Sequence, residues 1–350
     1  MATTLRDIAT HLNLSAALVS RVLNNKPGVW ASEETRQRVL DTAKAMNYRP
    51  SAMARALVTG RTMQIAVSAA DSEWSLGRSG RTAEVRGLID AAALHHYKVL
   101  VLPSPAHLAD RHQFESLIQS DGCDGFCVYA EQGSPELYEF FTAHDTRFVV
   151  VGNPGNPSLP QVDQDNYRQM YDSIAWLVAN GHERIAFVGP STQKDQQTHV
   201  RVLNQGYTDA VNALAGGFDE KLRPARCHTR EEILRFVSMP NAPTAVIVRG
   251  VSSTLNWKYT LLLNGYRIPE DFVILSHIDI AEMYHMQEGA LQEGLACHVH
   301  DPRLVGAQAG EVLMQWINGN PPGPDPILIS SLGIGWCEEF EVNSRPLQRG

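Results

Sequence analysis

Apolar residues at Leu5, Ile8, Ala9 and Leu12 fall on one helical face, and Leu18, Val19, Val22 and Leu23 form a second short stripe. Thr4 stands at the N-cap of the first helix, with Asp7 at capping-box spacing, and Ser15 is placed to cap the second. Two short helices joined by so tight a turn make a helix-turn-helix. A third helix is expected from Ser32 through Val39, Leu40, Ala43 and Met46. Asn47-Tyr48-Arg49-Pro50 stops it, because a residue before proline is disfavoured in the helical region. Ser15, Ala16, Ala17 and Arg21 open onto the face opposite the packing residues. Small alanines let a helix lie close in a major groove and touch thymine methyls, while an arginine fork pairs with guanine.

From Met63 onward the period changes. Strand-like runs at 64–67, 99–102, 125–129, 148–151, 184–189, 245–248 and 272–275 alternate with helical stretches at 81–96, 108–119, 135–144, 166–180, 205–214 and 255–264. Repeated β–α units predict parallel sheets covered by helices on both faces. A break near 160 divides the series into two subdomains with a cleft between them, where ligands sit beyond the carboxyl ends of strands.

Composition adds compartment and charge. A chain of 350 residues, 43% apolar and 19% charged, suits two or three globular domains. No apolar run approaches the roughly 18 residues of a membrane span, and the start lacks a signal-peptide layout. Five scattered cysteines without paired spacing read as reduced thiols, so a cytoplasmic location is expected, with no membrane association. The net charge of −8 is uneven: residues 1–60 carry +4 and the remainder −12. A basic head on an acidic body attracts a polyanion at one end.

Four motifs in the head carry a resemblance. Thr4-Leu5-x-Asp7-Ile8-Ala9, Ser15-x-Ala17-x-Val19-Ser20-Arg21-Val22-Leu23-Asn24-Asn25, Ser32-x-Glu34-Thr35-Arg36-x-Arg38-Val39 and Asn47-Tyr48-Arg49-Pro50 resemble the lactose-repressor (LacI/GalR) family of bacterial transcription regulators. The resemblance implies that Ala16, Ala17 and Arg21 read base edges and that Thr4, Ser15, Ser20 and Asn24 position the phosphate backbone. Tyr48 is counted with the DNA-binding residues. Ser51–Leu57 matches the family's hinge helix, with Leu57 as a minor-groove wedge and Ala54 packed beside it; an apolar wedge of this kind unstacks a base step and kinks the duplex. Trp30-Ala31 looks like an insertion, Leu18 stands where the family often has threonine, and Ser51 replaces a common asparagine.

The body resembles the same family through Asp124-Gly125, Asp165-Asn166, Gly181-His182-x-x-Ile185-Ala186-Phe187-Val188-Gly189, Gly206-Tyr207, Pro243-Thr244-Ala245 and Gly265-x-x-Ile268-Pro269-Glu270-Asp271. This implies an N-terminal all-α helix-turn-helix domain plus an α/β two-lobed periplasmic-binding-protein-like core. The expected domains are 1–50 for the head, 51–61 for the hinge, 62–340 for the core and 341–350 for a tail. Within the core, one lobe covers about 62–160 with a return near 295–325, and the other covers about 161–290. The family's sugar anchors are replaced by Leu203, Gly250-Val251 and Ile278. Trp74, Arg78, Arg201, His228, Arg249 and Asp279 remain as candidate effector contacts, and the arginines among them suit a sugar derivative or another anionic metabolite.

Other chemistry is thinly represented. His298 and His300 share a strand face with Cys297 on the other, but no third zinc ligand has recognisable spacing. Gly333-x-Gly335 lacks the rest of a phosphate-cradling fingerprint, and there is no nucleophile elbow or Walker-type loop. No catalytic residue, metal or cofactor is expected. The sequence therefore predicts a homodimeric repressor on a near-palindromic duplex operator, controlled by a small molecule bound between the core lobes. The rival reading is a cytoplasmic solute-binding protein without DNA function.

Overall fold

The computed structural model describes residues 3–23, 31–49, 52–70, 79–103, 108–120, 122–131, 133–189, 198–217, 219–222, 227–288 and 291–340. The chain separates into two compact units, Met1–Thr62 and Met63–Gly350.

In the first unit, α1 (Leu5–Leu12), α2 (Ala16–Leu23) and α3 (Glu33–Ala45) enclose Ile8, Ala9, Val19, Val22, Val39 and Ala43. The caps work as their residue types dictate. Thr4 Oγ1 accepts the Asp7 N–H while the Asp7 carboxylate accepts the Thr4 N–H at 2.8 Å. Ser15 Oγ accepts the Leu18 N–H at 3.2 Å, and Ser32 Oγ accepts that of Thr35 at 3.2 Å. Asn13 closes α1 in the left-handed region, which turns the chain into α2. A fourth helix, α4 (Ala52–Thr59), covers the hinge segment and runs two residues past Leu57.

In the second unit, β1 (Gln64–Ala70), β2 (Lys98–Pro103), β3 (Gly125–Tyr129), β4 (Phe148–Val151), β5 (Gln161–Gln164) and β10 (Ile327–Ile329) form a parallel sheet in the order β10-β5-β4-β3-β1-β2. Helices α5 (Ser79–Leu94), α6 (Leu108–Gln119), α7 (Pro135–Ala143) and α13 (Pro302–Ile317) belong to this lobe. The other sheet has the order β11-β9-β8-β7-β6, from β6 (Ile185–Val188), β7 (Ala245–Arg249), β8 (Val273–Asp279), β9 (Ala296–His300) and β11 (Gly333–Trp336). Only β11 in it is antiparallel. Its helices are α8 (Asn166–Ala179), α9 (Thr198–Leu214), α10 (Arg230–Val237), α11 (Val251–Leu262) and α12 (Ile280–Glu288).

The lobe boundaries differ from the expected ones. Strand β5 pairs with β4 and β10, so residues 161–164 stay in the first lobe. Strand β9 pairs with β8, so the chain remains in the second lobe through His300 and returns only with α13. A third crossing, between β10 and β11, has no counterpart in the sequence reading. Helix α13 then packs along α5 with almost no space between their backbones. A Cβ on Gly306 would lie 1.8 Å from Glu84 O, and one on Gly87 would lie 2.0 Å from Arg303 O. Glycine is required at both contacts.

The cysteines also depart from expectation. Cys297 and Cys337, 40 residues apart in sequence, are joined in a disulfide with a Cα–Cα distance of 5.3 Å, tying β9 to the turn after β11. Sequence spacing hid the pair because the antiparallel return of β11 makes them neighbours. The remaining thiols, Cys123, Cys127 and Cys227, are each pushed up to about 12, chiefly by burial, which leaves them protonated and unreactive.

Candidate DNA-reading helix and interlobe ligand site

The buried face of α2 is Val19 and Val22, which turns Ser15, Ala16, Ala17 and Arg21 outward, all exposed. Such a helix presents small side chains and one guanidinium to solvent while its back is fixed by α1 and α3. Thr4 is exposed, but its hydroxyl proton goes to the Asp7 carboxylate at 2.8 Å. Ser20 is half-buried, and Tyr48 packs against the head core. On α4, Leu57 is 85% exposed and Val58 81%, an apolar pair on a helix of the basic unit. Only the backbone of Ala54 is described, and Asn24 lies outside the described residues, as do Ser51, Trp30 and the tail.

In the second lobe, one face of the sheet packs Ala245, Ile247, Val273, Leu275 and Ala296 against Met170, Ile174, Leu177, Leu203 and Tyr207 of α8 and α9. Side chains alternate along a strand, so the same face continues as Arg249, His277, Asp279, His298 and His300. Register places Arg249 beside His277, His277 beside His298, and Asp279 beside His300. At the carboxyl end of the strands the apolar face thus becomes a polar ledge. Arg249 and Asp279 were sequence candidates for the ligand site; His298 and His300 were weighed only as a metal pair, and His277 was not singled out. Their signal was present as the last polar residues at period two in AVIVR, VILSHID and ACHVH, but only the alignment of three strands makes it one surface.

The ledge is held by a buried chain of hydrogen bonds. Ser173 Oγ donates to Gln169 O at 2.8 Å and lies 2.8 Å from both His277 Nε2 and His298 Nδ1. This one hydroxyl thus bridges the two imidazoles. His298 Nε2 lies 2.7 Å from Ser331 Oγ, a hydrogen bond that fastens the β10–β11 crossing to the ledge. Burial holds all three histidines neutral. His298 and His300 fall to about 4, and His277 lies well below the usual imidazole range, with His298 and Arg249 adding to the effect of burial.

Asp279 also starts α12: its Oδ1 accepts the Glu282 N–H at 2.8 Å, and Glu282 Oε2 accepts the Asp279 N–H at 3.1 Å. Across the cleft, a Cβ on Gly80 would lie 3.7 Å from Asp279 Oδ2, so the first turn of α5 abuts the ledge. One turn further along α5, Glu84 pairs with Arg81 at 3.4 Å. Arg81 also binds Glu131 and lies 3.4 Å above the Tyr129 ring. Burial raises the Glu84 carboxyl and lifts Asp163, at the end of β5, to about 6.

The other expected contacts are more peripheral. Arg201 is exposed and donates to Thr198 Oγ1 at 3.3 Å, near the Gly155 loop of the first lobe. His228 is exposed, with its backbone N–H bound to Glu232 and its carbonyl to Asn256. Trp74 and Arg78 lie outside the described residues. Leu203 and Ile278, read from sequence as lost pocket anchors, are core residues: Leu203 packs from α9 into the core it shares with α8 and the sheet, and Ile278 belongs to the opposite core.

An exposed reading helix joined in one chain to a two-lobed core with a polar ledge at its cleft defines a ligand-responsive DNA-binding regulator. The matching family models give that class its family: "Bacterial regulatory proteins, lacI family" covers residues 4–51, and "Periplasmic binding proteins and sugar binding domain of LacI family" covers 82–337. The chain belongs to the LacI family of bacterial transcription regulators. It is 30% identical to the HTH-type transcriptional regulator AglR of Rhizobium meliloti over 81% of this chain and 80% of that protein. It is 28% identical to RafR of Escherichia coli over 97% of both. RegA of Clostridium saccharobutylicum is 30% identical over 63% of this chain and 65% of that protein. Among solved structures, the lac repressor dimer bound to operator and an anti-inducer superposes with TM-score 0.73 at 17% identity, covering 95% of this chain and 97% of that one. The CelR–cellobiose complex does so with TM-score 0.63 at 20% identity, covering 95% and 98%.

Proposed function

We propose that the chain is a cytoplasmic repressor that binds a near-palindromic duplex operator as a homodimer and is found on the nucleoid when bound. In this reading Ala16, Ala17 and Arg21 face base edges, Ser15, Ser20, Asn24, Thr4 and Tyr48 fix the backbone, and Leu57 with Ala54 enters the minor groove. Ser15 suits its role because its cap uses only an oxygen lone pair and leaves the proton to donate. A small molecule held by the ledge, through Arg249 and Asp279 with Arg201 and His228 at the margin, changes the operator affinity. It acts by binding one arrangement of the lobes better than another. No catalytic step is assigned.

The observation that carries the reading is the pairing of Arg21, exposed on a helix whose back is fully packed, with a buried polar ledge in the same chain. The test is a mobility-shift assay on duplexes recovered by selection from a random pool. The expected result is one near-palindromic motif bound selectively, with affinity falling steeply as salt rises. Recovery of no motif, or equal affinity for all duplexes, removes DNA recognition and leaves the solute-binding reading.

A further inference from the structure

Strand β11 is Gly-Ile-Gly-Trp and stands at the edge of its sheet, antiparallel to β9. Two glycines in four residues leave it little side chain to pack and a loose backbone, a weak strand by itself. It is nevertheless fastened to β9 at both ends. Before it, Ser331 Oγ lies 2.7 Å from His298 Nε2, and the Leu332 N–H donates to Val299 O at 2.8 Å. After it, Cys337 is bonded to Cys297, and the Cys337 N–H donates to Leu295 O at 2.9 Å. Cys297 and His298 are consecutive on β9, so the two fastenings lie on opposite faces of the sheet.

The segment held in this way is where the third crossing lands in the second lobe, and it is tied to the other two crossings. His298 stands two residues before the end of β9, from which the chain passes into α13 of the first lobe. Ser173, 2.8 Å from His298 Nδ1, belongs to α8, which begins directly after the first crossing. In that first crossing the Asp165 N–H donates to Ile329 O at 2.9 Å, at the end of β10. How firmly β11 is held to β9 therefore bears on all three strands of the hinge.

A DNA-binding regulator works among reducing thiols, and disulfides that form in such a compartment are usually transient and redox-sensing. The segment has other bonds to keep it folded when the sulfurs part. Gln287 Nε2 donates to Phe340 O at 3.0 Å, Glu338 Oε1 accepts the Gly294 N–H at 3.1 Å, and Trp336 meets Trp176 edge-on with ring centroids 5.4 Å apart. We propose that Cys297 and Cys337 form a redox switch on the interlobe hinge, clamping it as a disulfide and loosening it as two thiols. This rests on the regulator reading above and adds a mode of regulation to it. In the reductive step a thiolate of a dithiol attacks one sulfur, and the other leaves as a thiolate and takes a proton. The second thiol of the reductant then expels the first, giving two cysteine thiols and the reductant's own disulfide. Both cysteines are fully buried, so exchange proceeds through local opening of this short edge segment. A clamped hinge has less freedom to lose when two heads are fixed on one operator, so the oxidised form binds DNA more tightly.

The test compares the full chain after oxidised glutathione and after dithiothreitol. Thiol counting and peptide mass spectrometry should find Cys123, Cys127 and Cys227 free and Cys297 joined to Cys337 in the first state, and all five cysteines free in the second. In glutathione buffers of graded composition the pair should pass reversibly from one state to the other, as a structural staple would not. Reduction is expected to quicken amide exchange at residues 331–340 and to weaken operator binding about fivefold or more, the lower end of the coupling between linked sites. Reoxidation restores both. Cys337→Ala should bind operator as the reduced wild type does and ignore dithiothreitol; if that variant does not fold, the reversible comparison on the wild type decides. The proposal is overturned if the pair stays reduced in oxidised glutathione, if it resists excess dithiothreitol in the native protein, or if operator affinity is equal or tighter after reduction. Absence of selective operator binding in both states is a separate result, and it refutes the regulator reading instead.

Discussion

Arg21 is exposed in the last turn of α2, beside the buried Val19 and Val22, so its guanidinium can meet a base edge without disturbing the head core. Arg21→Ala is expected to cost about 1–3 kcal/mol on the selected operator and to relax preference at one base pair per half-site. Titration against operator and random duplexes checks this; equal losses on both would reassign Arg21 to phosphate. The ledge histidines make a different prediction at the same scale. Their folded values are depressed, to about 4 for His298 and His300, against about 6.5 in the unfolded chain. Between those values the unfolded chain takes up protons that the folded chain refuses. Stability is thus full above pH 6.5 and falls as pH drops toward 4, by about 1.4 kcal/mol per pH unit for each such group. Asp163, raised to about 6, acts in the opposite sense and offsets part of the loss. Urea midpoints from pH 7 to 4.5 should therefore fall more steeply in the wild type than in a His300→Gln variant, and equal slopes would show that imidazole to be charged in the folded state.

At the scale of elements, α4 is eight residues long, well short of the length at which a helix is stable alone in water. It also carries two large apolar side chains in the open, Leu57 and Val58. Exposed apolar groups on so marginal a helix are worth keeping only if a partner covers them, and an unstacked base step does so. Leu57→Gly should weaken operator binding about tenfold or more by removing the wedge and lowering helix propensity, while leaving ligand affinity unchanged. Operator titration paired with calorimetry on the same variant separates the two effects, and wild-type operator affinity would rule out the hinge mechanism.

For the whole molecule, a single helix-turn-helix makes too few base contacts for selective binding, so two copies related by a two-fold axis are expected to act together. Leu94 at 76% and Leu263 at 73% exposure offer apolar surface that a second copy can cover. Light scattering at micromolar concentration should report a dimer; a monomer or a stable tetramer would contradict it.

Local pattern was enough for the head. The apolar stripes, the caps at Thr4, Ser15 and Ser32 and the stop before Pro50 are interactions within a few residues, so the sequence alone determined three helices and which face of α2 is exposed. It also determined the alternation of strands and helices in the core, because each element's period is local. Pieces without a sustained apolar run escaped it: β5 is Gln-Val-Asp-Gln, β11 is Gly-Ile-Gly-Trp and β10 has three residues, whereas β4 and β6, also four residues long, are apolar throughout. What tertiary structure decided was everything that needed two distant segments. Three chain crossings assign β5 and β9 to their lobes, and the return of β11 brings Cys337 to Cys297. Register lines up Arg249, His277, Asp279 and His300 from three strands, and Ser173 from α8 ties the histidines together. Alternation along one strand says which side chains share a face, but the parallel pairing of neighbours alone says at what height they stand, and a ligand site is made of heights.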